Sequence, residues 1–373
     1  MTDISTGSEL KLGDVFYVGG EYVQDSRGTH MRGQICVRRY GKKVPNQPAI
    51  IYIHGAAQTG THFESTPDGR AGLAVLQAQS GWECFVLDQP GIGRSRYHAA
   101  DVGELTQFTV EEVQGCYTAP SPDAWPQAKL HTQWPGSGKR GDSIFDAFYA
   151  SQVGHIGDYR KVEQLFRANV NALLALTGPA FVVTHSQGGL LGWHTADECP
   201  GLVRGIIALE PNGPPYIFPG YPPYYSSVHS VGKVVRPFGI TYSPLHYEPP
   251  LAPDAKSLPF RKETSVKHVQ GLVDREHRIS PSRKLPNLAS TPVLVITGEA
   301  SYHAPYDHLT VEFLREAGVR TEHIRLEDCG INGNGHLLGI EKNNKEIQEL
   351  IERWLVKHAS DSSGQAELPD SGE

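Results

Sequence analysis

Short apolar runs rich in β-branched residues alternate along this chain with longer stretches of helical periodicity, and this alternation narrows its fold more than any other feature. The runs AIIYIHG from Ala49, CFVLDQP from Cys84, AFVVTHS from Ala180, GIIALEP from Gly205 and PVLVITGE from Pro292 read as buried strands. TEHIRLED from Thr321 reads as a further, less apolar strand. In DYRKVEQLFRANVNALLALTG, residues Val162, Leu165, Phe166, Val170, Leu173 and Leu174 share one helical face, with Gly178 as the stop. Ile347, Leu350, Ile351, Trp354 and Leu355 repeat that pattern near the C-terminus. Strands alternating with helices predict an α/β fold, a mainly parallel central sheet flanked by helices. Upstream, DVFYVGG and GQICVRRY predict an antiparallel pair.

Two stretches break the alternation, near 98–157 and 211–291, and both are rich in Pro, Gly, Tyr and His. Loops this long between core strands are expected to be cap or lid insertions over the carboxyl end of the sheet. The reading is therefore one domain over residues 1–358 with two inserted cap segments. A polar tail over 359–373 is expected to be disordered. The formal net charge of −7 argues against nucleic acid and anionic membrane as partners, and no run of apolar residues is long enough to span a bilayer. Five scattered cysteines, Cys36, Cys84, Cys116, Cys199 and Cys329, make no metal-binding spacing and read as reduced structural thiols. With no apolar leader segment in MTDISTGSELKLGD, the expected location is cytoplasmic.

The chemistry concentrates in FVVTHSQGGLLGW, from Phe181 to Trp193. A strand, a sharp turn carrying serine, then a helix opened by small residues is a nucleophile elbow, which would expose Ser186 above the sheet. The turn departs from G-x-S-x-G by placing Thr184 first. Serine needs an adjacent base, and the backbone N–H of Gln187 would stabilise a developing oxyanion. HGAAQTG, from His54, follows another strand and offers a second donor, Ala56 first and Ala57 next. His54 itself is expected to hold the loop. DQPGIGRS lacks both GxGxxG and a P-loop lysine, so phosphate binding is not expected. Among seventeen histidines, His336 in GINGNGHLLGIEKNN lies after the last strand and before the last helix, where a base could swing over Ser186. His303, His308 and His185 are weaker candidates. The acid is open between Glu210, Glu299 and Asp307. Glu210 ends a buried apolar strand, where a carboxylate is costly unless it is hydrogen-bonded.

HGAAQTG, TPDGRAG, DQPGIGRS, THSQGG, ALEPNGPP, TGEASYHAPYDH and GNGHLLGIEKNN together reach across most of the chain. On these motifs the sequence resembles the alpha/beta-hydrolase fold, and within it a branch of serine carboxylesterases whose triad acid is a glutamate after strand six. The resemblance implies a triad of Ser186, Glu210 and His336, with acyl-enzyme hydrolysis of a carboxylic ester or lactone and no metal or organic cofactor. An aromatic wall is expected from Tyr216 and Tyr224 in PYIFPGYPPYYSS, with Trp125 and Trp134 from the other insertion. An amide substrate would use the same residues. Rival readings are an isomerase, cyclase or lyase in the same pocket, and a non-catalytic ligand-binding receptor. The expected partner is a small-molecule ester or lactone, and a homodimer is compatible with the sequence.

Overall fold

The computed structural model describes residues 14–222, 231–262, 269–273, 277–278 and 283–361. Its centre is an eight-stranded sheet: β1 Asp14–Val18, β2 Ile35–Tyr40, β3 Ala49–Ile53, β4 Cys84–Asp88, β5 Ala180–His185, β6 Val203–Leu209, β7 Val293–Thr297 and β8 Thr321–Arg325. The strands lie in the order β1-β2-β4-β3-β5-β6-β7-β8. β1 pairs antiparallel with β2, and β2 with β4, whereas β4 through β8 run parallel. Every residue of β3, β4, β5 and β7 is buried, which is why these strands read as unbroken apolar runs rather than alternating ones. The expected strands all form. An unforeseen hairpin, Glu21–Asp25 with Gly28–Arg32, fills the connection between β1 and β2.

Helices cover both faces. α1 is Leu73–Gln79, α2 Tyr159–Arg167, α3 Val170–Thr177, α4 Gly188–Glu198, α5 Asp307–Glu316 and α6 Asn344–Asp361. The single helix expected from Asp158 to Gly178 is broken into α2 and α3 at Asn169. That side chain accepts from Gly20 N–H at 2.7 Å and donates to the carbonyls of Gly33 and Leu165 at 2.8 Å. These bonds to the distant hairpin hold the break, because side-chain bonding to backbone competes with helix continuation. At the other end α6 runs to Asp361, so the first residues of the expected tail continue the helix, and 362–373 lie outside the described residues.

Parts of both segments that break the alternation lie beside Ser186, at the carboxyl end of β5. In the first, Val113, Trp134, Phe145 and Phe148 cluster with Leu337 and Ile340, directly after His336. From the second, Phe238, Ile240, Leu245, Tyr247 and Leu258 join the main core beneath α4.

Candidate active site

Ser186 sits in the turn between β5 and α4 with φ of +52°, the left-handed region that disfavours a residue with a side chain. The turn is held from both sides. Ser186 N–H donates to the Leu209 carbonyl at 3.0 Å, and the Ser186 carbonyl accepts from Gly189 and Asn212 N–H groups at 2.9 Å. A Cβ on Gly188 would stand 2.5 Å from the Ile53 carbonyl oxygen, and one on Gly189 would stand 2.6 Å from Pro211 Cβ. The two glycines are thus required by the close approach of α4 to the ends of β3 and β6. The same geometry accounts for Thr184. Its methyl group occupies the space beside Gly192, where a Cβ would lie 2.7 Å from Thr184 Cγ2. The bulk that the turn gains at Thr184 is absorbed one helical turn into α4.

Of the three candidate acids, the structure brings Glu210 to His336. Its carboxylate is buried, and Oε2 accepts from His336 Nδ1 at 2.5 Å and from the Ser301 hydroxyl at 2.6 Å. Oε1 accepts from Gly298 N–H at 2.7 Å. Three donors offset much of the cost of removing this carboxylate from water. Burial, followed by the nearby Asp307 charge, still pushes its pKa well above the ordinary carboxylate range. Glu299 instead accepts from Gly333 N–H at 2.7 Å, clamping the turn that precedes His336. Asp307 accepts from the Thr297 hydroxyl at 2.9 Å and from His303 Nδ1 at 2.8 Å.

Two of the rival histidines, His303 and His185, pack against His336. His303 stacks on it with ring centroids 4.7 Å apart and planes 11° apart. His185 donates from Nε2 to the His336 carbonyl at 2.9 Å, so it ties the elbow to the His336 turn and does not address Ser186. Burial lowers the His185 pKa to about 4, which keeps that ring neutral. His308 lies on α5. Burial, then the neighbouring His185, His303 and His62, push the His336 pKa well below the ordinary imidazole value. Sequence reasoning missed Ser301 and Glu341. The Glu341 carboxylate accepts from Gly335 N–H at 3.0 Å, Asn334 Nδ2 at 2.8 Å and His131 at 2.8 Å. A lone glutamate in a Gly/Asn-rich turn has no periodic signature that would have revealed this role.

Ala56, Ala57 and Gln187 converge with His54 and Gln89 around a small cavity of about 10 Å³. Among the described residues, the three backbone N–H groups donate to no acceptor. Unpartnered amides at a turn and a helix start form a ready anion site. His54 fixes the loop, donating from Nδ1 to the Gly55 carbonyl at 2.8 Å and accepting from Gln89 N–H at 3.0 Å.

Ser186 opens onto a larger cavity of about 480 Å³. The expected aromatic wall is built from other residues. Tyr216 is buried against Phe260, Trp125 against Tyr302 and Trp134 against Phe148, and none of the three lines this cavity. Tyr224 lies outside the described residues. Phe218, Tyr221, Tyr242, Tyr302 and Tyr306 line the wall instead, with Phe108 from the first insertion.

Residues 50–350 match the model of the alpha/beta hydrolase family. Over 357 residues the chain is 41% identical to the probable secreted lipase phiG of Fungal sp. (strain ATCC 74256), covering 94% of this chain and 91% of that one. It also resembles a solved structure described as a novel bacterial esterase, with a TM-score of 0.61 and 21% identity over 96% of this chain and all of that one. The fungal relative is named as secreted, and this overturns the cytoplasmic expectation. That expectation rested on a missing apolar run in fourteen residues, and such an absence does not determine a compartment. A family match over most of the chain, with 41% identity to a relative across nearly all of it, leads to one conclusion: this chain belongs to the alpha/beta hydrolase family.

Proposed function

We propose that the protein is a serine hydrolase that cleaves a small carboxylic ester or lactone through an acyl-enzyme. The observation that carries this reading is the bond from His336 Nδ1 to Glu210, with the His336 carbonyl tied to His185, the neighbour of a serine strained into an elbow turn. With Nδ1–H committed to the carboxylate, the Nε2 lone pair of His336 is left to take the Ser186 proton. Ser186 Oγ attacks the carbonyl carbon, and the N–H groups of Gln187 and Ala56, with Ala57 beside them, receive the oxyanion. His336 then returns the proton to the departing alcohol. A water molecule, deprotonated by the same ring, releases the acid and restores the serine. The relative named as a lipase supports ester chemistry. The chain's own residues supply every step, so the reading calls for no cofactor.

The base must be neutral, and burial disfavours its charged form. Lowering the pKa extends the neutral fraction toward acid. The acid limb of the kcat/KM profile for a small ester is therefore expected below the ordinary imidazole value of about 6.5. A limb at or above that value would mean that the Glu210 charge outweighs burial at His336.

The reading is tested by intact mass after exposure to a small fluorophosphonate, with Ser186→Ala alongside. A single adduct on the wild type, absent from the variant, is expected, together with turnover of short esters. A folded wild type that takes no adduct would turn attention to the isomerase and receptor readings.

A further inference from the structure

The cavity beside Ser186 contains a buried cation with no counter-charge among the described residues. Arg236 is 4% exposed and forms part of the cavity wall. Its Nε donates to the Pro214 carbonyl at 2.7 Å, Nη1 to Asn212 Oδ1 at 2.9 Å and Nη2 to the Ile217 carbonyl at 2.7 Å. All three acceptors are neutral. The guanidinium has five N–H groups, so two remain for a ligand or for the Tyr242 phenol beside it. Other arginines of the chain that are better exposed are paired with carboxylates: Arg38 with Glu64, Arg94 with Asp88, Arg167 with Glu198. Among the described residues, the most buried of these four is the one left without a carboxylate partner. Glu112, the carboxylate lining the same cavity, is engaged with Thr109 N–H at 2.7 Å and makes no ion pair with Arg236 among the described residues.

A buried charge is costly unless something of opposite sign meets it, and a guanidinium is suited to take a carboxylate through two parallel bonds. The position is also specific. Asn212, which accepts from Arg236, donates its own N–H to the Ser186 carbonyl, so a single residue separates the cation from the elbow. We propose that Arg236 is the counter-charge for a carboxylate carried by the substrate, so that the ester taken by Ser186 is anionic, such as a half-ester of a dicarboxylic acid or an acylated hydroxy acid. The inference rests on Ser186 being the nucleophile. A purely structural arginine, holding three carbonyls of a Pro-rich segment, would not discriminate by substrate charge.

The test is a ratio measured within one protein, which cancels any general loss of activity. For the acyl half, kcat/KM for para-nitrophenyl hydrogen glutarate is compared with that for its neutral methyl ester. For the alcohol half, para-acetoxybenzoate is compared with para-acetoxybenzamide. Each is corrected for its uncatalysed hydrolysis. The wild type is expected to favour the anionic member of at least one pair by about tenfold or more, the scale of a hydrogen bond to a charged group. Arg236→Met should remove that preference, and Arg236→Lys should keep part of it. If Arg236→Met does not fold by circular dichroism, the wild-type ratio and Arg236→Lys decide. Ratios near one in both wild-type pairs, or a ratio unchanged in a folded Arg236 variant, overturn the inference. Hydrolysis of only the neutral esters, with fluorophosphonate labelling intact, sinks this inference alone. No hydrolysis and no labelling sinks the nucleophile reading beneath it.

Discussion

Ser186→Ala is expected to lower kcat for a small ester by about four orders of magnitude or more while leaving the fold intact. The substitution keeps Cβ, so the contact across to Gly55 survives, where a Cβ would lie 3.0 Å from Ser186 Cβ. The backbone bonds that hold the turn, from Ser186 N–H to Leu209 and from Asn212 N–H to Ser186, do not involve the hydroxyl. Alanine at φ of +52° is as strained as serine there. Stability should therefore change little, and the melting transition serves as the control. Residual turnover above about 1% of wild type would remove Ser186 from the nucleophile's role, because triad serines contribute far more than that. His336 would then be acting on water or on the substrate directly.

The second large effect is expected at Glu210. Glu210→Gln should cost about 10³- to 10⁴-fold in kcat, by analogy with amide replacement of a triad carboxylate. The carboxylate meets donors on both oxygens: Gly298 N–H on one, Ser301 O–H and His336 Nδ1–H on the other. An amide has only one acceptor oxygen. Its NH2 must face either the Gly298 N–H or the Ser301 and His336 side. In the second case His336 takes its Nδ1 lone pair to the amide and carries the proton on Nε2, where it can no longer deprotonate Ser186. In the first, a donor faces a donor in a buried site, at a cost of about 1–3 kcal/mol. Glu299→Gln is the control, since among the described residues its carboxylate meets Gly333 N–H alone and the amide oxygen can replace it. Its kcat should stay within about tenfold of wild type. Near-normal turnover in Glu210→Gln with collapse in Glu299→Gln would move the acid to Glu299.

The parts of the site legible in the sequence are those where backbone chemistry leaves a residue-type signature. Gly188 and Gly189 after Ser186 announced a close approach of chain to chain, and the apolar run ending at Glu210 placed a carboxylate where only bonding partners make it tolerable. Residues that act from another segment left no such mark. Asn169 breaks a helix through the hairpin some 149 and 136 residues away at Gly20 and Gly33. Ser301 and Glu341 secure Glu210 and the turn that carries His336 from turns with no periodicity.

The aromatic wall shows the boundary most clearly. Tyr216, Trp125 and Trp134 were marked by composition, yet none lines the cavity: Tyr216 and Trp134 pack in hydrophobic clusters, and Trp125 packs behind the wall residues Tyr302 and Tyr306. The residue that gives the cavity its buried cation, Arg236, stands in a Pro-rich stretch with nothing local to distinguish it. By itself the sequence determined the parallel strands and marked the elbow, His336 and three acids, Glu210, Glu299 and Asp307, because periodicity, glycine and the cost of a buried carboxylate are local in the chain. The tertiary structure alone decided which side chains enclose the pocket and whether a buried charge is paired, because burial and counter-charge depend on segments far apart in sequence meeting in space.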